Sequence, residues 1–147
     1  MSNYYVSSGV TSTGIILNDP DRMYVLDGGT ANETAVNEYS YMEVSSGGTA
    51  NSTTVNKYGG IYVSSGGAAN ITVVRNAYFN LSGTANSTTL AEGGYLYVYP
   101  GATASKVAID FGYLSVYRGG TATEIEWTPC VGSVWVENGA HVTFASV

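Results

Sequence analysis

The stretch Glu43-Val44-Ser45-Ser46-Gly47-Gly48-Thr49-Ala50-Asn51-Ser52-Thr53-Thr54-Val55 decides the fold, because the chain keeps restating it. Tyr62-Val63-Ser64-Ser65-Gly66-Gly67-Ala68-Ala69 is the next copy, and Ser115-Val116-Tyr117-Arg118-Gly119-Gly120-Thr121-Ala122-Thr123 is a later one. Aligned on the valine, eight copies fall into line at Val6, Val25, Val44, Val63, Leu81, Val98, Val116 and Val136. The first three steps are 19 residues and the later ones run from 17 to 20. Self-similarity at a short period means a stacked architecture, in which each unit buries its apolar face only against its neighbours. Residues 1–147 therefore read as a single domain, and as a fragment of a longer repeat protein.

Each copy carries the same alternation. Two residues before the valine stands Tyr4, Met23, Met42, Ile61, Phe79, Leu96, Leu114 or Val134, all large and apolar or aromatic. The residue between the two columns varies. Alternation with period two is a strand with one buried face. A Ser/Gly corner follows, where Gly supplies positive φ for the bend. The fifth copy has lost two residues there, at Ser82-Gly83, which puts this corner on the outside of the coil.

A column of small residues comes next: Ser12, Ala31, Ala50, Ala69, Ala85, Ala104, Ala122 and Val142. Asn32, Asn51, Asn70 and Asn86 follow it, and Asn tolerates the left-handed region, so a second corner is expected at these asparagines. A third apolar column closes the unit at Leu17, Val36, Val55, Val74, Leu90, Ile109, Trp127 and Val147. Two residues before it the chain is mostly β-branched, as at Thr34, Thr53, Thr72 and Thr88, which marks another strand. A final corner, usually with Gly, returns the chain.

No apolar set recurs at helical spacing, and Gly is too frequent for helix. The fold class is all-β: a single-stranded parallel β-helix, or β-solenoid, of about eight turns of 17–20 residues. Right-handed coiling is expected by analogy with parallel crossovers. At about 4.8 Å per turn the rod is roughly 35–40 Å long.

The bulk numbers narrow the function. Charged residues are 11% of the chain, less than half the usual share of about 25%. The net charge of −6 and only five Lys and Arg argue against nucleic acid and anionic membrane surfaces as partners. No apolar run approaches the ~20 residues of a spanning helix, so no membrane insertion by this segment is expected. Met1-Ser2-Asn3-Tyr4-Tyr5 lacks the basic start and apolar stretch of a secretory leader. Cys130 is the single cysteine and has no charge nearby to activate it, so it reads as a corner residue. His141, the single histidine, has neither a nucleophile nor a carboxylate in its column. Asp19 and Asp21 flank Pro20 and could hold at most a weak surface calcium ion. The expectation is a protein without enzyme activity, cofactor or metal site.

These repeats resemble the passenger repeats of AIDA-type autotransporter adhesins over nearly the whole chain. The resemblance implies a bacterial protein, secreted or displayed at the cell surface, with a right-handed β-helical passenger. It implies a role in adhesion, autoaggregation and biofilm formation. It also implies that dedicated transferases place heptose on repeat Ser or Thr hydroxyls. Ser45, Ser46, Ser64 and Ser65, at the exposed corners, are the candidate acceptors.

Three further features bear on function. Five Asn-x-Ser/Thr sequons begin at Asn32, Asn51, Asn70, Asn80 and Asn86. They could accept glycans, but a repeat that sets corner Asn beside β-branched Thr explains them structurally. A Thr column (Thr11, Thr30, Thr49, Thr84, Thr103, Thr121), interrupted by Ala68 and His141, could match an ice surface or simply be good strand residues. Tyrosine is unusually abundant, at 13 residues. Tyr5, Tyr24, Tyr62, Tyr97 and Trp135 share the variable outward column of the first strand. Such a wall can bind sugars or proteins, or its rings can stack on each other and stiffen a passive stalk or self-associating matrix element. The expected partners are a host-cell surface, mucin or glycan, or other copies of the chain, including end-to-end self-association.

Overall fold

The computed structural model describes residues 2–128 and 130–145. The last member of the third apolar column, Val147, lies outside them. The chain winds as a parallel β-solenoid. One wall is built from Asn3–Val6, Arg22–Val25, Tyr41–Val44, Gly60–Val63 and Tyr78–Leu81, then from the later halves of Thr84–Val98 and Thr103–Val116, and from Gly132–Val136. Every neighbouring pair is parallel, and the alignment valines are partners from Val6↔Val25 through to Val116↔Val136. Eight rungs thus give seven coil-to-coil steps.

A second wall stacks Thr11–Thr13, Thr30–Asn32 and the starts of Thr49–Val55, Ala68–Arg75, Thr84–Val98, Thr103–Val116 and Thr121–Trp127, with His141–Phe144 last. A third wall begins as the short strands Ile16–Leu17 and Ala35–Val36. From Thr49–Val55 onward the strand runs on through the bend between these walls.

The core is the set of inward columns. Met23, Met42, Ile61, Phe79, Leu96 and Leu114 are buried beside the valine column. The small column meets them where the walls converge, with Ala31, Ala50, Ala69, Ala85, Ala104 and Ala122 fully buried. Leu17, Val36, Val55, Val74 and Leu90 close the third side. No single coil could bury these groups; stacking removes them from water at roughly 25 cal/mol per Å² of apolar surface.

The two glycines of the Ser-Ser-Gly-Gly corner have different jobs. Gly47 takes φ +82°, the left-handed conformation the bend needs. Gly48 does not; a Cβ there would stand 2.6 Å from the Val25 carbonyl oxygen of the preceding coil. The first glycine shapes the turn and the second lets coils approach. Backbone bonds then join successive corners, Gly28 N–H to Gly47 O and Gly47 N–H to Gly66 O, both at 3.0 Å.

The second corner lies one residue later than the sequence suggests. The left-handed residues are Glu33, Ser52, Ile71, Ser87, Lys106 and Glu124, each directly after the Asn column or its equivalent. The asparagines stay in the strand because their side chains form a ladder. Asn51 Nδ2 donates to Asn32 Oδ1 at 2.9 Å, Asn70 to Asn51 at 2.9 Å, and Asn86 to Asn70 at 2.8 Å. At the final corner, too, non-glycine residues take positive φ: Tyr39, Tyr58, Asn76, Glu92 and Phe111.

Candidate functional site

Alternation puts three columns on the outside of the first wall, not one. The middle column holds Tyr5, Tyr24, Glu43, Tyr62, Asn80, Tyr97, Ser115 and Trp135. Two residues earlier stand Asn3, Arg22, Tyr41, Gly60, Tyr78, Tyr95, Tyr113 and Ser133. Just after the valine come Ser7, Leu26, Ser45, Ser64, Ser82, Tyr99, Tyr117 and Glu137. The middle column alone hides six of the wall's tyrosines: Tyr41, Tyr78, Tyr95, Tyr113, Tyr99 and Tyr117. Extending the period-two count by two residues each way finds them.

The rings form two clusters. At the N-terminal end Tyr5 stacks on Tyr24 at 5.3 Å, and Tyr41 bridges Tyr24 and Tyr62 edge-on at 6.5 and 5.7 Å. At the C-terminal end Tyr95 stacks with Tyr78, Tyr97 and Tyr113 at 5.3, 6.0 and 4.8 Å. Tyr97 continues through Tyr99 and Tyr117 to Trp135. Of the five residues expected to line up, Tyr5 and Tyr24 stack directly, while Tyr62, Tyr97 and Trp135 share the wall but connect only through rings of the flanking columns. Tyr5, Tyr62 and Trp135 are 63%, 44% and 50% exposed, while Tyr24 and Tyr97 are half-buried among neighbouring rings.

Between the clusters the wall opens into a groove of about 620 Å³, lined by Tyr41, Glu43, Tyr62, Val63, Ser64, Asn80, Ser82 and Tyr99. It opens where the column after the valine carries Ser64 and Ser82, just before the rings of Tyr99 and Tyr117 take over that column. The Tyr62 ring leans over Gly60, where a Cβ would meet its Cε2 at 3.4 Å. Across the groove the Tyr99 hydroxyl donates to Asn80 Oδ1 at 3.0 Å. A second depression of about 250 Å³ lies beyond the Tyr41–Tyr62 pair, where Arg22 sits 4.6 Å over the Tyr41 ring.

Three phenols of the wall, Tyr41, Tyr97 and Tyr99, titrate high. Burial pushes Tyr97 up, helped by Tyr95 and Tyr117, and burial also raises Tyr99, helped by Tyr117 and Tyr62. Tyr41 is raised first by the Tyr24 hydroxyl beside it and then by burial, with Arg22 pulling the other way.

No protein-family model matches the chain, and no curated protein is similar to it in sequence at a significant level. Among solved structures it is similar to a hyper-glycosylated TibA fragment whose glycosylation was catalysed by TibC. The TM-score is 0.70 and the identity 29%, over 98% of this chain and 65% of that one. TibA is an AIDA-type autotransporter adhesin, the class the repeats resemble. The chain is thus an adhesin-like repeat domain in fold and in repeat sequence.

The remaining candidates fall into place around the wall. Ser46, Ser64 and Ser65 are exposed at the first corner, and Ser45 is half-buried. The Ser46 side chain fills the space beside Gly66 of the next coil. Three of the sequon amide nitrogens are engaged, those of Asn51, Asn70 and Asn86, which donate along their ladder, while Asn32 and Asn80 accept at Oδ1 from Asn51 and Tyr99. The Asp21 carboxylate accepts the Ser2 and Asn18 backbone N–H groups at 2.9 and 3.2 Å, so it shapes the first return corner. Cys130 is exposed in a corner at φ +80°. Among the described residues no three His, Cys, Asp or Glu come together as metal ligands.

Proposed function

We propose that this chain is part of a secreted or surface-displayed bacterial adhesin, in which the aromatic wall is the contact face for a host-cell surface, mucin or another copy of the protein. It works by binding rather than by catalysis. The observation that carries this reading is the concentration of eleven wall aromatics on one side of a rod. Tyrosine offers large, rigid contact area at low entropic cost, and a repeated face lets weak contacts add by avidity. The test is binding to epithelial cells and immobilised mucin by the purified protein, beside a Tyr24/Tyr62/Tyr97→Ser variant. Saturable binding that the variant loses supports the reading.

The mutual stacking of the rings, with Tyr95 against three others, favours a second reading as a passive stalk or matrix element. That reading predicts equal behaviour of both proteins on cells and a lower melting temperature for the variant. The likeness to a hyper-glycosylated fragment further supports Ser46, Ser64 and Ser65, with Ser45 beside them, as O-linked sugar acceptors. Co-expression with TibC and peptide mass spectrometry tests this. Added sugar mass on these corners is the expected result, and unmodified corners would remove the assignment.

A further inference from the structure

We infer that the groove between the two aromatic clusters binds a neutral oligosaccharide; the inference rests on reading the aromatic wall as a binding face. The groove lies where the column after the valine changes from serine to tyrosine. Ser64 and Ser82 leave a gap beside the rings of Tyr99 and Tyr117, and the two-residue loss at Ser82-Gly83 falls at its edge. Its volume of about 620 Å³ lies within the ordinary range of small-ligand sites.

A pyranose offers an apolar face of C–H groups and a rim of hydroxyls. The groove supplies both complements. Tyr117 covers one face of the Tyr99 ring in parallel, at 5.2 Å and 2°. The next residue in that column on the other side is Ser82, too small to cover the second face. Tyr62 bounds the opposite side and is 44% exposed. The floor between them alternates in hydrogen-bonding character. Glu43 only accepts; Ser64 and Ser82 do both; Asn80 is held by the Tyr99 hydroxyl at its Oδ1, leaving its two N–H donors for a ligand. Charge decides the sugar class. Glu43 is the only charged residue in the lining, and the chain carries −6, so sialylated and sulfated glycans are repelled.

The experiment is an amide NMR titration of the folded chain with triacetylchitotriose, maltotriose and cellotriose, and with sialyllactose as the anionic probe. At least one neutral trisaccharide should shift signals at Glu43, Tyr62, Asn80 and Tyr99. That binding should weaken by about tenfold or more in Tyr62→Ala and in Tyr99→Ala, and stay unchanged in Tyr113→Ala, which removes a ring from the C-terminal stack only. Absence of shifts with every neutral probe up to roughly 10 mM would overturn the inference. So would tighter binding of sialyllactose, or wild-type binding by a folded Tyr62→Ala. The cell assay above separates the two readings. Cell adhesion without sugar binding ends the groove inference alone, whereas sugar binding without adhesion ends only the adhesin reading.

Discussion

Thr53 shows how residue-level physics departs from pattern. It belongs to a buried column, Thr34, Thr53, Thr72 and Thr88, whose four hydroxyls have no hydrogen-bond partner among the described residues. A buried hydroxyl without a partner costs about 1–3 kcal/mol. Later coils carry Val107 and Ile125 at the equivalent position, both buried, so the site accepts an apolar β-branched side chain. Thr53→Val should therefore raise stability by about 1 kcal/mol, read as a higher urea midpoint. Gly48→Ala should do the opposite and cost about 1–3 kcal/mol, because its Cβ meets the Val25 carbonyl of the coil below. Gly47→Ala at φ +82° would also destabilise, through backbone strain. The sequence revealed that Thr53 sits on a strand, since β-branching and period two depend on the residue itself. It did not reveal that the hydroxyl is orphaned, which depends on neighbours. The same limit misplaced the second bend at Asn51 rather than Ser52: local preference pointed to Asn, and the coil-to-coil amide ladder overrode it.

At the scale of the element, the first wall is held by ring stacking as well as by its strand ladder. That coupling has a pH signature. Tyr97 and Tyr99 ionise above their ordinary value of 10.0 in the folded chain, chiefly because burial disfavours the phenolate. Between that value and the raised one, the unfolded chain has lost protons that the folded chain keeps. Stability is therefore full below pH 10 and falls as pH rises through the folded values. Thermal melts from pH 8 to 11 should show this alkaline loss, and Tyr97→Phe/Tyr99→Phe should flatten it. An unchanged slope would mean that these two phenols are not the groups responsible. The wall's middle column was legible because it lies between two invariantly apolar positions. The groove was not: it depends on Tyr62 leaning over Gly60 and Tyr99 reaching back to Asn80, and side-chain lean across coils leaves no period in the sequence.

For the molecule as a whole, seven near-identical steps mean that stability is close to a sum over coils and their interfaces. Whole coils should be removable without loss of fold. Deleting residues 7–25 joins Val6 to Leu26, and deleting 45–63 joins Val44 to Ser64; each restores an existing Val–corner junction and every inward column. Both proteins should keep their β circular dichroism and melt somewhat lower, on a rod shorter by about 4.8 Å. Deleting 45–53 alone, about half a coil, would break the stack, because inward and outward faces no longer align between rungs. The whole-coil variants differ in one respect. Removing 7–25 leaves every residue of the groove in place, whereas removing 45–63 takes away Tyr62 and sets Glu43 directly against Asn80. If the groove is the sugar site, only the second deletion abolishes trisaccharide binding, although the two cost the fold about the same. If both retain binding, the site lies elsewhere on the wall, and if both unfold, the coils are not the independent stacking units that the repeat implies.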